Sequence, residues 1–442
     1  MTAIHSFFNK VFSLKDGEFR LLGLSFGFIF VLFSSYALLR PMRDALGLEG
    51  GKDELKWLFL ATFISCIIAS LVLMWLSTRV KRRFYADFVF VFFALNLIGF
   101  YVAMNAFAEK SVEFVWLARV FYVWVSIFNL FAFSSAWSLI ADIFSKEASQ
   151  RLFGIIAAGA SLGSIAGASS VKFLVAYIGA SNLVFASVVL LLLGVLLKNA
   201  MIKELGKFES KESLARFDKT IGAKNPFVGF ALIVKSPYLL ALCAFILLLT
   251  SVSTFLYMEQ ARIIREFFPT REARIAAFAN IDLIVQVSAL VIQIFLTAKI
   301  AKFFKLTALL SLLGFVICVG FVVLAFTHPA FMPLAVVMSI RRIGEYALVK
   351  PGREMLFVPL SSDEKYKVKS FADTVVYRGG DALSAQLESA LASISFRGAG
   401  ASQNPTLPYV LLVGALISLV WGLLGIFLGK RYEKMNAEKS SA

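Results

Sequence analysis

The sequence predicts an all-α, polytopic membrane protein with twelve transmembrane helices. Hydrophobic residues make up 59% of the 442 residues, and the mean hydropathy is +0.81, which excludes a soluble globular protein. Apolar runs of about 20 residues, the length that an α-helix needs to cross a bilayer, recur along the whole chain. The alternation of period two that is typical of membrane β-strands is absent. Helices are therefore expected to satisfy the backbone hydrogen bonds within the bilayer.

Short polar or charged turns separate the apolar runs and set the predicted helix boundaries. The N-terminal stretch MTAIHSFFNKVFSLKDGEFR has no apolar core of its own, so we expect no cleavable signal peptide. The predicted spans cover residues 21–40, 57–77, 84–104, 114–143, 154–178, 181–199, 238–258, 276–298, 306–327, 331–357, 370–394 and 407–429.

The formal net charge of +16 is spread unevenly over the predicted loops. The side of the membrane that holds both termini carries about 29 Lys and Arg residues, and the other side carries about 10. Basic residues are retained in cytoplasmic loops, so both termini are expected in the cytoplasm. The same rule accounts for the basic charge without a nucleic-acid partner.

One long connection, between the sixth and seventh predicted helices, divides the chain into two groups of six. It contains the mixed-charge stretch KELGKFESKESLARFDK and is predicted to be a cytoplasmic linker. The expected organisation is an N-terminal six-helix bundle at residues 1–199, a linker at 200–237 and a C-terminal six-helix bundle at 238–442. A weak internal repeat relates the halves. Two such bundles joined by a linker describe the major facilitator fold.

The fifth predicted helix contains Gly159, Gly163 and Gly167 in a GxxxGxxxG pattern. Small residues at this spacing allow two helix backbones to approach closely. The pattern predicts tight helix packing, either within one half or between the halves, and leaves a direct contact with a ligand as a second alternative.

The tenth and eleventh predicted helices carry more charge than lipid tolerates. At 100° per residue, Arg342, Tyr346 and Arg353 share one face of the tenth helix, with Glu345 beside them. An ionised side chain at membrane depth costs at least about 2.5 kcal/mol, so such residues face a polar cavity or one another. One face of the eleventh helix carries a second polar set: Asp373, Tyr377, Gly380, Asp381, Ser384 and Glu388. Two facing polar stripes predict a central cavity.

Helices one and four add basic and polar candidates. Helix one ends in YALLRPMRDALG, where Pro41 disturbs the helix beside Arg43. Arg43 either snorkels to the outer membrane surface or reaches the mouth of the cavity. Helix four carries Arg119, Asn129 and several serines through an aromatic span. The serine hydroxyls either bond backbone carbonyls or line the cavity.

Helices seven and eight add acidic candidates. Glu259 lies near the end of helix seven, about where Arg43 lies in helix one, and is expected in a surface ion pair, in a gate or at the substrate. Asp282 and Gln286 share a face of helix eight. A carboxylate that takes up a proton would couple transport to protons, and the candidates are Asp282, Glu345 and Asp381. The candidate substrate-binding residues are Arg43, Arg119, Asn129, Glu259, Arg342, Glu345, Tyr346, Asp373, Tyr377, Arg378 and Asp381.

Several kinds of chemistry lack the residues that they need. Cys66, Cys243 and Cys318 lie inside apolar runs, and His5 and His328 lie outside the polar stretches of the helices. We therefore expect no metal site, no cofactor and no enzyme activity based on cysteine or histidine. No GxxxxGK[ST] motif is present, which disfavours an ATP-driven pump.

Three stretches resemble the ATP/ADP translocases of obligate intracellular bacteria and plastids and their free-living bacterial relatives. They are LLRPMRDALG after helix one, the Glu259 region of helix seven, and KVKSFADTVVYRGGDALS of helix eleven. The resemblance covers most of the chain and implies nucleotide exchange across a major-facilitator-like bundle in the bacterial inner membrane. By the same resemblance, Arg43 is the basic residue after helix one, Glu259 the helix-seven acid, and Asp373 and Arg378 the Asp and Arg of the helix-eleven motif.

Two positions depart from the pattern of the translocases. Asp381 stands where they have a lysine just beyond the Arg-x-Gly of helix eleven, and Ser126 stands where they have a helix-four glutamate. A carboxylate in place of a phosphate-binding cation reverses the sign of the local electric field and repels phosphate. Nucleotide exchange is therefore kept only as one candidate among others.

The leading hypothesis is a secondary transporter that moves a polar, anionic solute by alternating access. Arginines would supply donors to carboxylate or phosphate groups: Arg43, Arg119, Arg342 and Arg378. The alternatives are a nucleotide exchanger and a proton-coupled carrier of a polycarboxylate such as a siderophore. An intramembrane protease is disfavoured because Asp373 and Asp381 are not neighbours on their helix, and a channel because no repeated pore-lining rings are present. The expected partners are a small anionic solute and the lipid bilayer, and the expected state is a monomer.

Overall fold

A computed structural model describes most of the chain, and helices account for nearly all of what it describes. The described residues are 18–51, 54–144, 146–207, 215–220, 228–295, 305–358, 360, 368–369, 371–398 and 408–440.

The first part of the chain forms five long helical elements. They are α1 Glu18–Leu46, α2 Glu54–Arg79, α3 Arg82–Ala106, α4 Val112–Ile143 and α5 Lys146–Leu205. Element α5 holds the fifth and sixth predicted spans, because Gly179 has φ of 79° and ψ of 165° and interrupts the helix between them. Glycine adopts this positive φ readily because it has no Cβ. A short 3-10 turn follows at Ala215–Asp218.

The described residues of the second part of the chain form eight helices and two π-helical segments. The helices are α6 Val228–Lys235, α7 Pro237–Phe267, α8 Arg271–Phe295, α9 Leu306–Thr327, α10 Phe331–Gly344, α11 Lys350–Met355, α12 Tyr377–Gly398 and α13 Pro408–Ser440. Segment π1, Glu345–Val349, joins α10 to α11, and segment π2, Ala372–Val376, leads into α12.

Nine helices in the described part of the chain are long and apolar enough to cross a membrane. One of them, α5, contains two predicted spans. The tenth and eleventh predicted spans correspond to α10–π1–α11 and to π2–α12, which are short or interrupted and carry charges. The structure is therefore consistent with twelve transmembrane helices and confirms the all-α fold.

The chain divides into two compact units. Unit 1 comprises Met1–Glu49, Ala69–Lys224 and Thr270–Gln286, and unit 2 comprises Gly50–Ile68, Asn225–Pro269 and Val287–Ala442. Helices α2 and α8 each contribute residues to both units. The boundaries at residues 199 and 238 stay a prediction, and linker residues 208–214 and 221–227 lie outside the described part of the chain.

The glycine run of α5 packs against α1 inside unit 1. A Cβ at Gly163 would lie 2.3 Å from the carbonyl oxygen of Phe30, and one at Gly167 would lie 2.6 Å from that of Ser34. Only glycine permits such an approach, and the Ser34 hydroxyl donates a 3.0 Å hydrogen bond to the Gly163 carbonyl. Of the alternatives that the sequence left open, these contacts confirm packing within one half.

Unit 2 contains a second tight helix contact, between α9 and α13. A Cβ at Gly314 would lie 2.7 Å from the Cα of Gly422, and one at Gly425 would lie 2.8 Å from the carbonyl oxygen of Leu310. Sequence analysis missed this contact, although Gly422, Gly425 and Gly429 recur on α13 at helical spacing.

Candidate functional site

Both polar helices of unit 2 leave regular α-helical geometry where their charged residues lie. Glu345 and Tyr346 belong to π1, Asp373 belongs to π2, and Tyr377 directly follows π2. π-helical turns inside α-helices are frequent at functional sites. The predicted stripe at 100° per residue therefore does not hold across these segments, because a π turn takes an extra residue. The stripe omitted Arg341, and Arg341 is the arginine that contacts Glu345.

Five side chains from α10, π1 and α12 form a cluster that we call the charged ring: Arg341, Glu345, Tyr377, Arg378 and Asp381. The Arg341 Nη1 donates a 3.0 Å hydrogen bond to Glu345 Oε2. The Arg378 Nη1 lies 3.7 Å from Asp381 Oδ2. Tyr377 lies in the electrostatic field of all four charged members. The ring brings together four of the predicted site residues, with Arg341 as the member that sequence analysis missed.

Asp381 and the two arginines of α10 are buried. Asp381 is 8% exposed, and its Oδ1 accepts a 3.1 Å hydrogen bond from the hydroxyl of Thr254 on α7. Arg341 is 5% exposed and Arg342 is 4% exposed. Burying an ion is costly unless it is paired and hydrogen-bonded, so these side chains need polar surroundings inside unit 2.

The close approach of α12 to its neighbours places the ring residues. A Cβ at Gly380 would lie 2.2 Å from the hydroxyl oxygen of Thr250 on α7, so this position cannot carry a side chain without displacing it. A Cβ at Gly379 would lie 3.3 Å from the Phe63 ring of α2. The two glycines before Asp381 therefore let α12 lie directly against α7 and the first half of α2.

Arg353 and Asp373 form a separate network, where α11 ends and π2 begins. The Arg353 Nη2 lies 3.2 Å from Asp373 Oδ1 and 3.9 Å from Glu354 Oε1. Lys369 forms an ion pair with Glu354. Tyr346 is half-buried, and the Lys350 ammonium lies 5.8 Å from the centre of its ring. Asp373 is thus placed in an ion-pair network that ties α11 to the start of the last polar helix.

Glu259 lies in a third cluster, toward the C-terminal end of α7. The Arg262 Nη1 lies 3.3 Å from Glu259 Oε2 and 2.5 Å from Glu388 Oε1 of α12. His328 Nε2 lies 2.8 Å from Glu259 Oε1, and Glu259 is only 1% exposed. The expectation that His328 lies outside the polar groups was wrong. His328 follows α9 directly in the chain, but no spacing rule connects that position to α7.

The basic residues at the end of α1 pair with acids of unit 1. The Arg43 Nε and Nη2 donate hydrogen bonds of 3.0 Å and 2.6 Å to Asp44 Oδ1, and its Nη1 donates one of 3.4 Å to the Ser126 hydroxyl. The Arg43 guanidinium also lies 5.0 Å from the centre of the Tyr122 ring. The Arg40 Nε lies 3.7 Å from Asp282 Oδ2 of α8. Arg43 therefore connects the end of α1 to Ser126 of α4.

The two remaining candidates lie on α4 of unit 1. The Arg119 guanidinium lies 4.4 Å from the centre of the Trp116 ring, and Trp116 is 58% exposed. Asn129 is half-buried. Two serines of the same helix donate to backbone carbonyls, Ser126 to Tyr122 at 3.3 Å and Ser135 to Ala132 at 3.0 Å. These two serines agree with the expectation that the hydroxyl groups of this helix bond backbone carbonyls.

Long apolar helices that carry buried ion pairs define a polytopic helical membrane protein. Residues 21–349 match the family profile described as the Major Facilitator Superfamily. The chain belongs to this superfamily, and it is a transporter and not an enzyme. No curated protein sequence matches the chain significantly.

Solved transporters share the fold at low sequence identity. A bacterial homologue of the human lysosomal transporter Spinster, in an inward-facing and unoccupied conformation, superposes with a TM-score of 0.61 at 15% identity over 96% of this chain and 99% of its own. The peptide transporter POT in complex with sulfate gives a TM-score of 0.65 at 14% identity over 94% and 95%. The nucleoside transporter NupG gives 0.58 at 13% identity over 95% and 99%. The likenesses establish the fold, and the narrower resemblance to ATP/ADP translocases stays a prediction.

Proposed function

We propose that the protein is a secondary transporter for a polar solute that carries an anionic group, and that the charged ring contributes to its binding site. The observation that carries the proposal is the state of Arg341. Its Nη1 binds Glu345, while its buried Nε has no hydrogen-bond acceptor among the described residues. A buried donor without an acceptor costs about 1–3 kcal/mol, and more when the group is charged. A carboxylate or phosphate oxygen of the solute would accept the missing hydrogen bond from the Nε–H of Arg341.

The acids of the ring would change partners during transport. Glu345 pairs with Arg341, and Asp381 pairs with Arg378. A solute anion that takes either arginine releases the carboxylate, which is then free to accept a proton. We therefore keep Glu345 and Asp381 as coupling candidates. Asp282, which lies next to Arg40 in unit 1, is the third.

Nucleotide exchange is the second candidate, and it is favoured only by the motif resemblance. The pair between Arg378 and Asp381 weakens it, because Arg378 is the cation that phosphate would need. A polycarboxylate such as a siderophore would meet the same acidic groups. The carboxylates of the ring repel both polyanions, and they repel a solute with a single anionic group less strongly.

A thermal-shift screen of the purified protein tests the proposal. A ligand that binds the folded protein raises the unfolding temperature through RT ln(1 + [L]/Kd). We expect stabilisation by at least one solute with a carboxylate or phosphate group, and uptake of that solute into proteoliposomes. Nucleotides, organic phosphates and polycarboxylates form the panel, with neutral sugars and amines as the comparison. Stabilisation by neutral or cationic solutes alone would contradict the proposal.

The resemblance to the translocases leads us to propose the bacterial inner membrane, and the distribution of basic loops leads us to propose that both termini lie in the cytoplasm. Reporter fusions at each end of the chain test this topology. Reporter activity on the periplasmic side at either terminus would contradict it.

A further inference from the structure

The charged ring holds two ion pairs that come from different helices. The pair of Arg341 and Glu345 belongs to α10 and π1, and the pair of Arg378 and Asp381 belongs to α12. Tyr377 interacts electrostatically with the charged members of both pairs. The ring therefore offers two positive and two negative groups to a ligand, and not a purely basic surface.

The anion-binding side of the ring is Arg341. Its side chain is 7% exposed, and its Nε–H is buried without an acceptor in the described residues. The Nε–H of a guanidinium points away from Nη1, so an oxygen of one anionic group can accept from the Nε of Arg341 while Nη1 stays bonded to Glu345. Arg341 would then bind two groups at once, Glu345 through Nη1 and the anionic group of the ligand through Nε.

The cation-binding side is formed by the two carboxylates. The charge of Glu345 acts unfavourably on that of Asp381. Repulsion between like charges is strong in a medium of low dielectric constant, and a positive group near both carboxylates would relieve it. The Arg378 Nη1 lies 3.7 Å from Asp381 Oδ2, which is beyond hydrogen-bonding distance, so this pair is open to exchange of partners.

We propose that the charged ring binds a zwitterion, with the ligand's anionic group on Arg341 and its ammonium group at Glu345 and Asp381. This inference rests on the proposed transport function and narrows its substrate class. A zwitterion leaves the net charge of the buried ring unchanged. A polyanion would place further negative charge beside two carboxylates, and a simple cation would leave the buried Nε of Arg341 without an acceptor.

The binding test uses the purified protein and ligands whose charges can be blocked one at a time. The zwitterionic probes are alanine, dialanine and phosphocholine. N-acetyl-dialanine keeps only the anion of dialanine, and dialanine amide keeps only its cation. Inorganic phosphate and choline are the separate halves of phosphocholine, and citrate and ATP are the polyanions. We expect at least one zwitterion to raise the unfolding temperature, and its singly charged analogues to bind about tenfold more weakly or worse.

Each outcome bears on one of the two proposals. Stabilisation by citrate, ATP, phosphate or N-acetyl-dialanine without any zwitterion overturns the zwitterion inference and leaves the anion transporter intact. Stabilisation by choline or dialanine amide alone overturns both. The absence of a shift with every probe counts against both as well.

Variants of the ring separate binding from general damage. In Glu345→Gln and Asp381→Asn, the preference for dialanine over N-acetyl-dialanine should fall about tenfold, because the ligand's ammonium loses a carboxylate while Arg341, the partner of the anionic group, is kept. In Arg341→Gln, binding of both ligands should fall together. Glu204→Gln is the matched control, since Glu204 is a buried acid of unit 1 that pairs with Arg20 and Lys207. If the dialanine preference survives in both carboxylate variants, the ammonium does not bind there.

Discussion

The contact of α1 with α5 in unit 1 and the charged ring of unit 2 represent two ways of using a membrane helix. At Gly163 and Gly167 the backbones of α5 and α1 approach so closely that a Cβ would collide with carbonyl oxygens. In the ring, π-helical segments and long charged side chains hold the groups through ion pairs of 3.0 Å and 3.7 Å. The close backbone contact between α1 and α5, which we call the frame, holds the two helices in fixed positions. The ion pairs of the charged ring can instead exchange partners with a ligand.

The largest expected effect tests the frame. Gly163→Leu should destabilise the protein by at least about 1–3 kcal/mol, because overpacking forces the α1 backbone at Phe30 to move. Size-exclusion profiles and unfolding temperatures in detergent measure the loss. Gly154→Leu is the matched control on the same helix, since a Cβ at Gly154 meets nothing within 4 Å. Equal behaviour of the two variants would show that the glycine contact is not a rigid frame.

The second-largest expected effect concerns the negative charge of Asp381 in the ring. We expect ATP to be a poor substrate, because a unit charge about 4 Å from a carboxylate is repelled by about 4 kcal/mol at an effective dielectric constant of about 20. Asp381→Lys should therefore raise the affinity for ATP by about 100-fold or more relative to that for a zwitterion. Exchange of labelled ATP in proteoliposomes measures it, with Asp381→Asn as the neutral control. Robust ATP/ADP exchange by the native chain would show that the resemblance to the translocases extends to function.

A smaller loss is expected for Arg341→Lys. Lysine keeps the positive charge beside Glu345 but lacks the second donor of the guanidinium, so uptake of whichever probe stabilises the protein should fall about tenfold. Arg20→Lys, at a side chain that is 70% exposed, is the control. Full uptake by Arg341→Lys would mean that the buried Nε has no role in binding.

Unit 1 is expected to respond less than the ring does. Arg43 already donates two hydrogen bonds to its neighbour Asp44, so Arg43→Ala should lower uptake by about fivefold, which corresponds to about 1 kcal/mol. Arg342→Ala in unit 2 is the parallel variant. Unchanged uptake in both would argue against an anionic solute, and a larger loss in Arg43→Ala than in Arg341→Lys would reverse the comparison between the units.

The helical pattern was predictable from the sequence because hydropathy directly reflects the cost of placing side chains in lipid. The predicted junction between the fifth and sixth spans at residues 178–181 coincides with the break at Gly179. The polar stretch from Ser339 to Glu388 was conspicuous in the sequence because charged residues are rare in membrane helices, and the structure buries Arg341, Arg342 and Asp381 of this stretch.

The partners of the charged residues were not predictable. A constant 100° per residue cannot anticipate π1 and π2, so Arg341 was assigned to no face although it forms the ion pair with Glu345. The contact of His328 with Glu259 joins residues from the ends of α9 and α7 that only the packing of helices brings together. Periodicity identifies which residues share a helix face, but it contains no information about which helices are neighbours.

The smallest expected effect concerns the contact between His328 and Glu259. It tests whether this contact is rigid, like the frame, or exchangeable, like the ion pairs of the charged ring. The Glu259 carboxylate is held by Arg262 at 3.3 Å as well as by His328 at 2.8 Å. The contact between His328 and Glu259 Oε1 is not a hydrogen bond, because Oε1 has no hydrogen-bond donor among the described residues, and Glu259 keeps Arg262 in His328→Gln, so we expect a loss of about 1 kcal/mol or less. The unfolding temperature measures it, with Thr327→Val as the exposed control. A fall as large as that of Gly163→Leu would mean that His328 forms a rigid contact like the one between α1 and α5, and not an exchangeable one like those of the charged ring.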